Sequence, residues 1–465
     1  MKKLYVLIFA FILLSNLAYS QLGNHEMYLL KNLNEHPGAG GNLYSALWGY
    51  VAPNAREYAL LGAYTGTSFV DITDSADIHE VDFLPGTSSN WREMKTHSHY
   101  AYIVTDVASS STGIQIVDLQ YLPDSVHFVK NWSVNGIMKI HTISTEGNYL
   151  YINGGQSTSN GGIAIVDISD PENPVLRGTW DEKYVHDCRV VENRVFACNI
   201  YSSDGGTVTV IDVWNKDNPV TIGSWANNPN PGPHNCAITP NRKYCLVTDE
   251  INGNPRLLKI WDIQNLSNVV QVGTWQPTGI TTSIVHNVEI YGKYAVVAHY
   301  TAGVRVIDIS NVASPTEVAW YDTYPSDNGF TYDGCWGVYM FPSGKIIGSD
   351  RQTGLYVLKT TFALVTGLQG NGSLLPDNFV LSQNYPNPFN PSTKISFSIP
   401  TNSVVSLKVF DISGKEVATI VNDRRDAGTY EVTFDAGKYG LTSGVYFYKL
   451  TTPEHSETKR MILVK

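Results

Sequence analysis

A short apolar strand ending in aspartate returns six times along this chain, and that periodicity limits the available folds more than any other feature. The copies are FVDIT at 69–73, IVD at 116–118, IVDIS at 165–169, VID at 210–212, IWD at 260–262 and VIDIS at 306–310. A seventh, LYVL at 355–358, lacks the acid. The aspartates Asp71, Asp118, Asp167, Asp212, Asp262 and Asp308 stand 47, 49, 45, 50 and 46 residues apart. A period of this size built from short strands is that of a β-propeller with one four-stranded blade per repeat. One blade cannot bury both of its faces, so the seven repeats form a single ring.

The repeat at 141–180 shows the plan. HTIS at 141–144 begins strand A, and EGN at 146–148 is a turn. YLYI at 149–152 is strand B, and a Gly/Ser-rich loop covers 154–162. Residues 163–168 form strand C, DPENP at 170–174 turns the chain, and VLRGTW at 175–180 is strand D. Alternating apolar residues between Gly, Pro and Asn clusters are strand signals. The last repeat has no strand D of its own, whereas MYLLKNL at 27–33 reads as a strand D without a blade. Pairing the two would close the ring and remove its exposed edges. Beyond a linker at 366–377, six or seven further strands in 378–465 predict a small β-sandwich. The expected class is therefore all-β, a seven-bladed propeller over 21–365 followed by a small C-terminal β-sandwich. The strand C aspartates sit beside turns and are expected to accept hydrogen bonds from backbone N–H groups there.

Charge and targeting signals narrow the partners. The formal net charge is −10 and no Lys/Arg-rich run occurs, which disfavours nucleic acid and anionic membrane surfaces. Residues 1–20 read as a signal peptide: Lys2 and Lys3, an apolar run at 4–14, and a small-x-small site at 18–20. No other segment approaches the length of a membrane span, so no transmembrane span is expected in the mature protein. Of five cysteines, Cys188/Cys198 and Cys236/Cys245 flank hairpin turns. With a two-residue turn, Cys236 and Cys245 would face each other closely enough to bridge; buried free thiols are the alternative for both pairs. Cys335 is left over and expected to be buried.

Two resemblances add to this reading. LSQNYPNPFNPST at 381–393, VFDISG at 409–414, AGTY at 427–430, SGVYFY at 443–448 and KRMILVK at 459–465 closely resemble the type A sorting domain of the bacterial type IX secretion system. The resemblance implies that residues 378–465 engage that secretion machinery, placing the protein at the outer-membrane surface or outside the cell. The strand C cores, such as IAIVDISDP at 163–171 and GVRVIDIS at 303–310, resemble the LVIVD-repeat, or choice-of-anchor B, proteins. That resemblance implies a propeller and an exported body, and no particular reaction.

The candidate chemistry lies at the start of strand A, the strand nearest the propeller axis. Four consecutive repeats place a histidine there: His141, His186, His234 and His286. Trp48, Arg92 and Trp336 fall near the same point in three others. Just after strand B come Asp106, Asn153, Asn199, Asp249 with Glu250, His299 and Asp350. Strands A and B are antiparallel, so both sets should share one end of the ring. Arg92, Asp106, Asp249, Glu250, His299 and Asp350 are thus expected to line a ligand-binding funnel, and the four histidines are its candidate metal ligands. One divalent metal ion is the cofactor such a set would take. A structural role for the histidines is the competing reading, although it should then recur in all seven blades. No G-x-S-x-G or H-E-x-x-H motif occurs. An exported binding module for a protein, glycan or small ligand is the leading functional expectation. A metal-dependent hydrolase drawing acid–base groups from Asp249, Glu250 or His299 is the alternative, and a passive envelope protein is a third.

Overall fold

The computed structural model describes residues 24–37, 44–107, 113–133, 136–229, 231–364, 379–399, 403–425, 428–453 and 455–464. The segments read as signal peptide and linker, 1–20 and 366–377, lie outside the described residues. The chain divides into two compact units, Met1–Leu364 and Val365–Lys465.

Among its described residues the first unit holds seven antiparallel sheets; strands A to D follow in chain order in the first six, and the seventh takes its outer strand from near the N-terminus. The A strands are Tyr44–Val51, Arg92–His97, Thr142–Glu146, Asp187–Val191, Pro233–Ile238, Val288–Tyr291 and Cys335–Met340. Neighbouring A strands touch in cyclic order, and Cys335–Met340 meets Tyr44–Val51 to complete the circle. The core sits between blades. Tyr102, Ile116 and Val104 of the second blade pack with Ile143, Leu150, Ile152 and Val166 of the third, all essentially excluded from water. Burying each such side chain stabilises the ring by about 1.5–3 kcal/mol.

Ring closure follows the sequence-based expectation. Met27–Leu33 pairs antiparallel with Gly354–Thr360 as the outer strand of the seventh blade. A polar clamp joins the seventh blade to the first: Glu57 accepts from the Ser343 N–H at 3.0 Å and its hydroxyl at 2.6 Å, and pairs with Lys345 at 3.2 Å. An additional short strand, Asn24–His25, extends the sixth blade by pairing with Tyr321 and Trp320; its two residues are too few to show a periodic signal.

All six strand C aspartates do one job. The Oδ1 atoms of Asp71, Asp118, Asp167, Asp212, Asp262 and Asp308 accept from the backbone N–H two residues on, at 2.8–3.0 Å. This is the Asx turn that starts the C-to-D connection. The seventh blade takes its strand D from the other end of the chain, so it has no such turn and needs no aspartate.

The cysteines are free and buried. Cys236 lies opposite Val247 and Ile238 opposite Cys245, because the 239–243 connection is longer than two residues. Cys188 lies opposite Ala197, and Cys198 opposite Asp187. Neither hairpin bridge forms.

The second unit is a β-sandwich. A three-stranded sheet holds Val380–Leu381, Ser392–Ile399 and Gly428–Asp435, and a four-stranded sheet holds Glu416–Arg425, Ser403–Phe410, Gly444–Thr451 and Ser456–Leu463. Phe389, Ile395, Phe397, Val405, Leu407 and Tyr448 are buried together between them. The Tyr448 hydroxyl accepts from the Asn384 N–H at 2.7 Å and donates to the Ser382 carbonyl at 2.8 Å, fixing the 382–384 segment to the core.

Candidate functional site

Strand A begins at one end of each blade, so residues at its start converge on the axis. There His141, His186, His234 and His286 form an arc of adjoining rings, with successive centroids 4.3, 4.3 and 4.0 Å apart. Trp336 continues the arc 4.9 Å from His286, and Trp91 meets Trp336 edge-on at 6.1 Å. These side chains line a narrow cavity together with Arg92, Glu93, Thr142, Asp187, Glu250 and Asn287.

The arc is held from outside. His234 Nδ1 lies 3.2 Å from the His286 carbonyl, and His286 Nδ1 bonds the Trp336 carbonyl. Each ring thus addresses the backbone of the equivalent residue one blade on. His141 Nδ1 instead faces Asp106 Oδ2 at 3.3 Å, and Lys139 reaches the other oxygen at 3.3 Å. Gly154 leaves room for this: a Cβ there would stand 2.7 Å from the His141 Cβ. On the inner side, His141 Nε2 approaches His186 Nε2 at 2.9 Å. Glu250 brings its oxygens to 3.6 Å from His234 Nε2 and 3.7 Å from His286 Nε2, and the Tyr300 hydroxyl donates to it at 2.8 Å.

Burial sets the protonation states. His186 and His286 are pushed well below the ordinary imidazole value, by burial first and by their histidine neighbours second. His234 is lowered by burial, against the pull of Glu250. Asp106 lies below the usual carboxylate range: burial acts to raise it, and His141 and Lys139 outweigh that. Asp187, bonded to Asn235 at 2.6 Å, is pushed up to about 7 by burial and by Glu93.

The expected funnel residues separate by one position in the chain. Asp106 follows the last residue of its strand B, Tyr100–Thr105, and Glu250 follows Tyr244–Asp249. Both turn inward to the histidines. Tyr300 and Arg351 hold the same place after Tyr294–His299 and Lys345–Asp350, and Arg351 lies over the Trp336 ring at 4.9 Å. The last strand residues point the other way, because successive side chains of a strand face opposite sides. Asp249 therefore pairs with Lys259 at 2.6 Å inside its blade and rises to about 6 through burial. His299 bonds the Ser283 hydroxyl at 3.0 Å, and Asp350 receives the Gln352 and Thr353 N–H groups at 3.0 and 2.9 Å. Asn153 and Asn199 are likewise spent on blade packing, bonding Thr142 Oγ1 and the Tyr184 carbonyl.

Arg92 lines the cavity wall, while its guanidinium donates to the Ala63 carbonyl at 3.1 Å and the Thr87 carbonyl at 2.7 Å. Trp48 lies one layer deeper, under Lys95 at 4.1 Å and beside Tyr339. It pairs with Leu60, three residues before the end of strand B at Ala63, and so stands below the histidine level. Trp91, Glu93, Asp187, Asn287 and Tyr300 escaped the sequence reading. The signal that finds them is adjacency: each stands within two residues of a position already singled out.

Matches to known families agree with this architecture. The LVIVD repeat model matches residues 139–182 and 284–323, and the secretion system C-terminal sorting domain model matches residues 383–465. The chain carries LVIVD repeats and a type IX sorting domain. The sorting domain implies export to the outer-membrane surface or the extracellular space. No curated protein sequence matches the chain. Among solved structures, the LVIVD propeller and its tail are similar to PorZ of Porphyromonas gingivalis, a surface component of the type IX secretion system. That match has 13% identity and a TM-score of 0.46, and covers 93% of this chain and 61% of PorZ, less than two thirds of its length. The periplasmic gluconolactonase PpgL of Pseudomonas aeruginosa matches with 10% identity and a TM-score of 0.49, over 84% of this chain and 99% of PpgL. A Lactobacillus plantarum protein matches with 11% identity and a TM-score of 0.49, over 84% of this chain and 100% of its own. Likenesses at this level carry no functional inference.

Proposed function

We propose that this protein is an exported binding module that captures a small polar ligand, or the polar tip of a protein or glycan, in the axial cavity of its propeller. Residues 1–20 direct it across the inner membrane, residues 21–365 form the binding body, 366–377 link it, and 378–465 engage the type IX machinery. One observation carries the binding reading. Asn287 lines the cavity, and its Oδ1 is buried without a hydrogen-bond partner. Buried polar groups in native proteins are nearly always paired, so an unpaired amide oxygen on a cavity-lining residue calls for an outside partner. Trp91 and Trp336 supply flat apolar walls to the same cavity, the usual composition of a ligand site. A hydrolase reading keeps only Glu250 of its three acid–base candidates at this cavity, since Asp249 and His299 turn into their blades.

The test is a thermal-shift screen of the full mature chain against monosaccharides, amino acids and small carboxylates, with a glycan array in parallel. At least one class is expected to raise the melting temperature of the wild type and not of Asn287→Ala. No shift and no array signal would refute the binding reading. Separately, removal of residues 383–465 is expected to leave the protein in the periplasm on cell fractionation; unchanged surface delivery would refute the role of the tail.

A further inference from the structure

We propose that His186, His234 and Glu250 hold one divalent first-row transition-metal ion on the propeller axis, with His141 as a fourth ligand. The inference rests on reading the axial cavity as a binding site and goes further by naming what it binds first. One ligand atom from each of His186, His234 and Glu250 lies within 4.8 Å of the other two. A tetrahedral ion with bonds of about 2.0–2.2 Å needs its ligands roughly 3.3–3.6 Å apart, so small side-chain rotations complete the set.

The hydrogen bonds decide which nitrogens are bare. A carbonyl can only accept, so His234 and His286 carry their protons on Nδ1. The Asp106 carboxylate places the His141 proton on Nδ1 in the same way. The Nε2 lone pairs of these rings therefore point inward. The Nε2 of His141 meets the Nε2 of His186 at 2.9 Å, and the Nε2 atoms of His234 and His286 meet the oxygens of Glu250. In the metal-free protein His186 donates from Nε2 to the bare Nε2 of His141. The Nε2 lone pairs of His234 and His286, by contrast, face the Glu250 carboxylate with no proton between them, a repulsion that a cation relieves. A dication meets all of these groups at once.

The surroundings are those of a metal site. Metal-binding histidines characteristically donate their second ring N–H to a carbonyl or carboxylate, which orients the ring and raises its basicity. Asp106 and the His286 carbonyl take that part here, and the Tyr300 hydroxyl fixes Glu250. Imidazoles with one carboxylate suit zinc, copper, nickel or iron better than calcium or magnesium. His286, a candidate on sequence grounds, stands outside the set, on the Glu250 oxygen that Tyr300 already occupies.

The experiment uses the full chain, stripped with chelator and then titrated with Zn²⁺ and, separately, Co²⁺. Metal content is read by elemental mass spectrometry, and the visible spectrum of the cobalt form reports the ligand type. One ion per chain is expected, with cobalt d–d bands of nitrogen and oxygen ligation. His186→Gln and Glu250→Gln should weaken zinc binding at least about a hundredfold. Tyr300→Phe, which keeps the aromatic packing and all four ligands, should weaken it about 10–100-fold, the usual cost of losing a supporting hydrogen bond. It also keeps the test valid if a ligand variant does not fold. Absence of stoichiometric metal, unchanged affinity in Glu250→Gln and Tyr300→Phe, or a cobalt–thiolate charge-transfer band placing the ion on cysteine would each overturn the proposal. A metal-free protein that still captures a small ligand at Asn287 would overturn the ion alone and leave the binding reading standing.

Discussion

His299 gives the sharpest test of the buried electrostatics, because it lies in a blade interior away from the cavity. It is almost fully excluded from water, bonds only the Ser283 hydroxyl through Nδ1, and leaves Nε2 unpaired. Burial, and then the charge of Arg305, lower it from 6.5 to about 3. The unfolded chain takes up the proton near 6.5 and the folded chain refuses it until about 3. The unfolded state therefore binds more protons throughout that window, and stability falls as pH falls. The contribution is fully present above about pH 6.5. Each unit below it costs up to about 1.4 kcal/mol, so His299 alone removes about 2 kcal/mol between pH 7 and pH 5. The assay is guanidinium unfolding followed by tryptophan fluorescence at pH 7, 6 and 5, for wild type and His299→Gln. Other titrating groups act equally on both proteins, so the difference between the two curves isolates this imidazole. The variant is expected to lose about 2 kcal/mol less than wild type over the window. Parallel curves would show that His299 titrates normally and would refute the account of its burial.

Two further outcomes follow from the packing. Leu33 is 4% exposed in the ring-closing strand, packed near Leu355 and Val357, whereas Leu29 in the same strand is 39% exposed; Leu33→Ala should cost about 2–5 kcal/mol in chemical unfolding and Leu29→Ala well under half of that, and equal costs would argue against the closure. All five cysteines are buried and unbridged, and burial pushes the Cys188 and Cys335 thiols up; a thiol reagent should therefore label none of them in the native protein and all five in denaturant without reductant, as counted by intact mass.

Much of the site was legible because propeller repeats place equivalent residues at equivalent points. The four histidines could be assigned to one end of the ring from spacing alone, and they do form an arc there. The partners of those histidines were harder to read, and the reason is the two-residue period of a strand. Asp249 and Glu250 are neighbours in sequence but face opposite ways, one to Lys259 and the other to His234. The same one-residue difference separates His299 from Tyr300 and Asp350 from Arg351. Trp48 lies well inside a strand A that already begins at Tyr44, a start that the hydrophobic pattern does not mark. The cysteine pairing depended on the length of a turn, which the flanking residues suggest but do not fix.

Local chemistry that repeats was therefore determined by the sequence itself: the blade period, the Asx turn at every strand C that feeds a strand D, the unpaired outer strand near the N-terminus, and the sorting motif at the C-terminus. Each depends on residues a few positions apart, so the chain carries it directly. The tertiary structure alone decided what meets on the axis. His141 to His186, His186 to His234 and His234 to Glu250 are contacts between separate repeats or across a strand's end. Their lengths are set by ring diameter, register and the side of the strand on which each residue falls. Those quantities exist only once seven blades have closed around one another.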